Sequence, residues 1–97
     1  MWQVYNHFMN HEEIQKNLNK ISGWVLDKER KSISKEYKFK DFIGAINFVN
    51  NIAEIAEEVG HHPDIKINYN KVLLEFSTHA IGGLSEKDFI LAAKIDV

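Results

Sequence analysis

The longest regular pattern in this sequence is a run of apolar residues that recur every 3.6 residues, which predicts a helix between Asp41 and Gly60. Asp41 can cap the start of this helix, and Gly60 can end it in the left-handed conformation. At a rise of ~1.5 Å per residue the helix is roughly 30 Å long, which makes it the longest predicted element. Its apolar stripe consists of Phe42, Ala45, Ile46, Val49, Ile52, Ala53 and Ala56.

Shorter patterns on both sides of this helix predict two further helices and four strands. Capping boxes start the outer helices at Asn10 and Ser85, and Asn70 suits a left-handed turn between the last two strands. The expected ranges are a first helix over 11–21, strands over 24–27, 32–39, 64–68 and 71–78, and a last helix after Ser85. The order α-β-β-α-β-β-α predicts an α+β fold, with a single four-stranded antiparallel sheet and the helices packed on one face.

Length and composition narrow the function classes. The 97 residues bound the chain to one domain over 1–97 with one hydrophobic core. Twelve basic against fourteen acidic residues, with no basic face, argue against direct nucleic-acid binding. The absence of cysteine excludes disulfides and sulfur-based zinc sites. No stretch approaches the ~20 apolar residues that span a bilayer, and the N-terminus has no secretory signal pattern, so we expect a cytoplasmic protein without a membrane partner.

Three of the five histidines stand at the ends of predicted elements. His61 and His62 precede Pro63 directly after the long helix, and His79 follows the last predicted strand. Histidine has an unperturbed pKa of about 6.5, so it can give and take a proton near neutral pH, and it is also a common metal ligand. This concentration indicates proton-transfer chemistry or a metal site.

Carboxylates and an aromatic residue extend this pattern to a signature of fixed spacing. Its members are Glu57, the triplet His61-His62-Pro63, Tyr69, His79 and Asp88. The spacing resembles that of the pterin-4a-carbinolamine dehydratase family, and the likeness covers about residues 11–95, so that only residues 1–10 fall outside it. Several fixed polar positions are far more specific than a single short motif.

The resemblance implies a hydro-lyase that dehydrates 4a-hydroxytetrahydropterin (4a-hydroxytetrahydrobiopterin) to quinonoid dihydropterin, in recycling the pterin of an aromatic amino acid hydroxylase. Pterin is then the substrate, and no separate cofactor or metal is implied. His61 and His79 would lie near the departing hydroxyl, His62 would accept the ring proton, and all three would bind the pterin. General acid-base catalysis of this kind typically contributes ~10²–10⁴-fold in rate.

Two carboxylates are expected to support the histidines. Glu57 lies one helical turn before His61, so it could hold that imidazole in one tautomer if the helix continues. Asp88 occupies the N3 position of the Ser85 capping box, where it would stabilise the last helix, and the resemblance also assigns it to the site. His79 is expected to point away from the apolar face of its strand, because of its parity.

Two other function classes stay open. One is a non-catalytic dimerisation or interaction module, because some members of the family serve as dimerisation cofactors of a homeodomain transcription factor. The weaker alternative is a metal site built from His61, His62, His79 and Glu57, although adjacent histidines usually project in different directions.

The resemblance also implies a homodimer or homotetramer, joined by sheet edges and in some members by the long helix. Phe48 and Ile55 stand off the main apolar stripe of that helix, so they are candidates for a subunit contact. Trp24 and Tyr69 are expected to pack in the core or on the sheet rather than to frame the substrate.

Overall fold

The structure is a computed structural model, and it describes residues 9–96. The residues at which a secretory signal would begin therefore lie outside the described part. Seven helices and strands follow one another as α1 (His11–Leu18), β1 (Val25–Leu26), β2 (Ile33–Lys38), α2 (Phe42–Val59), β3 (Asp64–Asn68), β4 (Lys71–Phe76) and α3 (Glu86–Ile95). A short 3-10 turn (His79–Ile81) lies between β4 and α3. This order confirms the predicted α+β arrangement.

The four strands form one antiparallel sheet in the order β1-β2-β4-β3, so β3 lies at one edge and β4 next to it. Alternate residues of β4 are buried, namely Val72, Leu74 and Phe76, because successive strand residues point to opposite faces. These side chains share one core with Ile52 of α2 and Leu91 of α3. The helices cover this face, as predicted.

The long helix α2 confirms its sequence signals at both ends. The Asp41 carboxylate accepts a hydrogen bond from the Gly44 N–H at 2.8 Å, and Gly60 takes the left-handed conformation at φ 77° directly after Val59. Ala45, Ile52 and Ala56 are its buried residues. Between residues 9 and 96, neither α2 nor any other helix has the length and apolar character that crossing a membrane requires.

Two predicted boundaries are wrong by more than one residue, and so is the residue expected to take the left-handed conformation in the β3–β4 turn. The first helix ends at Leu18 rather than at 21, and the last strand ends at Phe76 rather than at 78. The strand stops because Thr78 pairs with Gly83 instead of with a neighbouring strand, so His79 lies in a tight turn and strand parity does not apply to it. In the β3–β4 turn the left-handed conformation expected of Asn70 is taken by Tyr69, whose φ is 54°.

Phe48 and Ile55 were predicted as candidates for a subunit contact because they stand off the main apolar stripe of α2, but both have partners within the chain. Both are partly buried against the core, and the Phe48 ring lies 4.6 Å from that of Tyr37 and 4.9 Å from that of Phe39. The apolar surface of α2 is wide enough for these rings to pack onto β2 and the residue after it. Trp24 is buried in the same core, which confirms its predicted packing role.

A carboxylate to which sequence reasoning gave no role ties the end of α3 to the sheet. Asp96 accepts hydrogen bonds from the Trp24 indole at 2.6 Å, the Tyr37 hydroxyl at 2.7 Å and the Lys35 ammonium at 3.1 Å. Burial by itself would raise the pKa of Asp96, but the bonds from Tyr37, Trp24 and Lys35 outweigh it and lower that pKa. Burial and the neighbouring Asp96 raise the pKa of Tyr37.

We expect Asp96→Asn to lower the free energy of unfolding by about 1–2 kcal/mol at pH 7, because three donors lose their charged acceptor. Folding lowers the pKa of Asp96, so its contribution is complete above the unfolded value of ~3.9 and is lost as the pH falls through the folded value. Urea unfolding of both proteins between pH 2 and 7 measures this difference, with Asp64→Asn on the exposed strand β3 as the control. A difference that does not shrink in acid would contradict the assignment.

Candidate active site

His61 and His62 follow directly on the glycine that ends α2. The backbone N–H groups of Gly60 and His61 both donate to the carbonyl of Ala56, at 2.8 and 3.1 Å. These two hydrogen bonds to the last turn of the helix fix the direction in which the chain leaves α2. The two imidazoles are therefore placed by a helix end whose position the core determines.

Asp88 holds the ring of His61. Its Oδ1 lies 2.6 Å from Nε2 of His61, and the side chains are 0% and 11% exposed, respectively. The same residue completes the predicted capping box of α3, because the Ser85 N–H donates to Oδ2 at 3.0 Å. One carboxylate thus both caps a helix and binds an imidazole.

Two buried hydroxyls complete the surroundings of Asp88, and sequence reasoning did not find their role. The Thr78 hydroxyl donates to Oδ2 of Asp88 at 2.8 Å and lies 2.6 Å from the hydroxyl of Ser85. Thr78 and Ser85 are almost completely buried. Ser85 was visible in the sequence as a helix cap, but nothing local connects it with Thr78.

Glu57 does not hold His61, contrary to the prediction. The helix ends at Val59 and the chain turns at Gly60, so the imidazole that reaches back over the last turn is that of His62. Its Nε2 lies 2.6 Å from Oε2 of Glu57. These side chains are 59% and 77% exposed, so water screens the pair and the bond holds His62 weakly.

His79 faces the same cleft from the turn after β4. Thr78 and Gly83 exchange two backbone hydrogen bonds, at 2.7 and 3.4 Å, which close the loop that carries His79. His79 is exposed, so it is not a core histidine. The cleft has a volume of about 290 Å³ and is lined by Gly60, His61, His62, Ser77, Thr78, His79, Ala80 and Lys87.

The cleft brings together all three predicted histidines, but not Tyr69, which lies exposed in the β3–β4 turn. Larger depressions exist along α1, of about 570 Å³, and between α1 and α3, of about 360 Å³. Neither contains more than one histidine, so the smaller cleft is the better candidate for proton chemistry. No group of three or more histidine and carboxylate side chains in residues 9–96 is arranged to hold a metal ion.

Comparisons of sequence and of structure with known proteins indicate one and the same family. A family model described as "Pterin 4 alpha carbinolamine dehydratase" matches residues 7–97. A protein of Trichormus variabilis named "Putative pterin-4-alpha-carbinolamine dehydratase" is 53% identical over 86% of this chain and 87% of its own. A protein of the same name from Sulfolobus acidocaldarius is 46% identical over 91% and 94%. The crystal structure of a transcriptional coactivator/pterin dehydratase from Brucella melitensis has a TM-score of 0.88, with 32% identity over 93% of this chain and 96% of that one.

The two carboxylate–imidazole pairs are expected to differ strongly in stability. Asp88→Asn should lower the free energy of unfolding by about 2–4 kcal/mol, because an amide cannot accept from all three buried donors. Glu57→Gln should stay within about 0.5 kcal/mol of the wild type, because its pair is exposed. Chemical denaturation of both variants at one pH measures this; equal losses would contradict the difference in burial.

Proposed function

Because this chain belongs to the pterin 4 alpha carbinolamine dehydratase family, we propose that it dehydrates 4a-hydroxytetrahydropterin, including 4a-hydroxytetrahydrobiopterin, to the quinonoid dihydropterin. The observation that carries the proposal is the buried Asp88–His61 pair, which opens onto a cleft shared with His62 and His79. In this role the protein takes part in recycling the pterin cofactor of an aromatic amino acid hydroxylase.

The reaction needs an acid and a base at the same time. The C4a–O bond breaks as the hydroxyl receives a proton and leaves as water, while the adjacent ring N–H loses a proton and the C=N bond forms. One proton enters and one leaves, so the reaction consumes no electrons. Histidines on the walls of one cleft suit this chemistry, because each imidazole can give or take a proton near neutral pH.

The positions of the three histidines suit different steps of the proposed reaction. His61 is anchored by Asp88, and with His79 it is assigned to the departing hydroxyl. His62 is exposed and weakly held by Glu57, so its ring can adjust to the pterin and accept the ring proton. All three are assigned to substrate binding as well.

We expect His61→Ala, His62→Ala and His79→Ala each to lower the rate of dehydration by ~10²–10⁴-fold, because each removes an acid, a base or a binding group. Stopped-flow absorbance of 4a-hydroxytetrahydropterin decay, compared with buffer alone, measures the rate. His11→Ala is the matched control, because His11 lies on α1 and does not line the cleft.

The same rate measurement, repeated with a chelator, separates the dehydratase from a metal site and from an interaction module. Activity that survives a strong chelator contradicts a histidine-based metal site, whereas activity that disappears and returns with added metal supports it. A folded wild-type protein that does not accelerate the reaction contradicts the dehydratase and favours the interaction module.

We also propose that the chain forms a homodimer or homotetramer through the edge strand β3. All five residues of β3 are exposed, and Ile65 and Ile67 remain 38% and 37% exposed although they share a face with the buried Leu74 and Val72. An edge strand with exposed apolar side chains can extend its sheet with a second copy. The same surface would serve an interaction module.

Light scattering at micromolar concentration should give a mass of two or four times the 11.3 kDa of one chain. Ile67→Lys should shift the protein towards the monomer, because it places a charge in the joined edge. Val25→Lys is the matched control, since Val25 is exposed on β1 at the opposite edge of the sheet. A monomeric wild type, or dissociation by the control alone, would contradict the assignment to β3.

A further inference from the structure

We propose that Thr78, acting together with Ser85, is a positioning residue that determines which nitrogen of His61 exchanges protons with the substrate. The two hydroxyls fix the charge and orientation of Asp88, and Asp88 in turn fixes the proton on Nε2 of His61. The inference rests on the proposed function for its catalytic meaning, but the state of His61 can be measured without any substrate.

The surroundings of Asp88 determine its charge. Its Oδ2 accepts two hydrogen bonds, from the Thr78 hydroxyl at 2.8 Å and from the Ser85 N–H at 3.0 Å. The side chain has no exposed surface, so these donors take the place of water. Hydrogen bonds to a carboxylate favour its ionised form. Oδ1 is therefore an acceptor, and the proton in the 2.6 Å contact belongs to Nε2 of His61.

The hydroxyls of Thr78 and Ser85 form hydrogen bonds of one direction. A threonine hydroxyl has one proton, and that of Thr78 is given to Asp88. The 2.6 Å contact between Thr78 and Ser85 must then be a bond in which Ser85 donates. The chain has a single consistent direction, from the Ser85 hydroxyl to the Thr78 hydroxyl to Asp88. Without the Thr78 hydroxyl, Oδ2 keeps one donor and Ser85 loses its acceptor.

His61 has one ring nitrogen that does not bind Asp88. With Nε2 bound to Asp88, Nδ1 is the atom left for exchange, and it has no hydrogen-bond partner among residues 9–96. The ring also stacks against Phe76, with 6.4 Å between ring centroids and 18° between planes. His61 can gain and lose a proton at Nδ1 while its bond to Asp88 stays in place. A site that needs no rearrangement during the reaction is favourable for catalysis.

Thr78 also connects His61 with His79, but through a different group. Its backbone pairs with Gly83 and closes the loop that carries His79, whereas its hydroxyl supports Asp88 and thus His61. Thr78→Val removes the hydroxyl and leaves the backbone pairing possible. This substitution therefore tests the hydroxyl separately from the loop.

The test is the tautomer of neutral His61, measured by long-range ¹H–¹⁵N correlation NMR of the imidazole in the free protein. The wild type should show Nε2–H alone. Thr78→Val should show a mixture of both tautomers, and Thr78→Ser, which keeps the hydroxyl, should restore the single form. Ser32→Ala is the matched control, because the Ser32 hydroxyl donates to Glu75 at 2.8 Å on the sheet, outside the cleft.

Rates give the second readout. Thr78→Val should lower the maximal rate of 4a-hydroxypterin dehydration roughly 10-fold, with little change in the half-saturating concentration, and Thr78→Ser should recover most of the loss. If Thr78→Val does not fold, Thr78→Ala carries the same NMR test, since it also removes the hydroxyl bond to Asp88 and keeps the Ser85 N–H bond. A wild-type His61 with Nδ1–H, or one tautomer in all variants, overturns the proposal. An inactive wild type with the expected tautomers would overturn the dehydratase instead and leave the positioning of His61 supported.

Discussion

The part of the molecule around the candidate site depends on one buried carboxylate, that of Asp88. Burying an ionised carboxylate costs several kcal/mol of folding free energy unless its oxygens accept hydrogen bonds. Asp88 receives them from three places: the N–H of Ser85 at the cap of α3, the hydroxyl of Thr78 just after β4, and the imidazole of His61 just after α2. Each of these elements must be in place before the carboxylate is satisfied. The end of α2, the end of β4 and the start of α3 therefore meet at the site. The hydrogen bonds to Asp88 that join them there also stabilise the fold.

The two carboxylate–imidazole pairs show how burial separates groups of the same chemistry. Both pairs have 2.6 Å between nitrogen and oxygen. The contact between His61 and Asp88 is buried, so the ring is held in one orientation, whereas His62 and Glu57 are more than half exposed and water screens their contact. We infer that one imidazole is a fixed proton donor or acceptor and the other an adjustable contact. This division agrees with a reaction in which the hydroxyl leaves from one place while the pterin ring needs accommodation.

The parts that the sequence predicts correctly depend on neighbours in the chain. The buried positions Ala45, Ile52 and Ala56 of α2 follow from a local pattern, although Phe42 and Ala53 of the predicted stripe are exposed. The cap at Asp41, the helix end at Gly60 and the capping box that places Asp88 at the start of α3 are local patterns as well. The Glu57 prediction failed because its partner depends on how the chain turns at Gly60. The roles of Thr78 and Asp96 stayed hidden because they join distant elements: Asp96 binds Trp24 across 72 positions and Lys35 across 61. Periodicity carries no information on such contacts.

The central claim is that His61, held through Nε2 by buried Asp88, presents Nδ1 to a pterin in the cleft. The most direct measurement is a crystal structure with a dihydropterin that cannot be dehydrated. We predict a pterin ring between His61, His62 and His79, with Nδ1 of His61 within about 3 Å of a ligand atom and Nε2 still bound to Asp88. A pterin bound elsewhere, such as in the groove between α1 and α3, or a His61 ring turned away from Asp88 in the complex, would contradict the account.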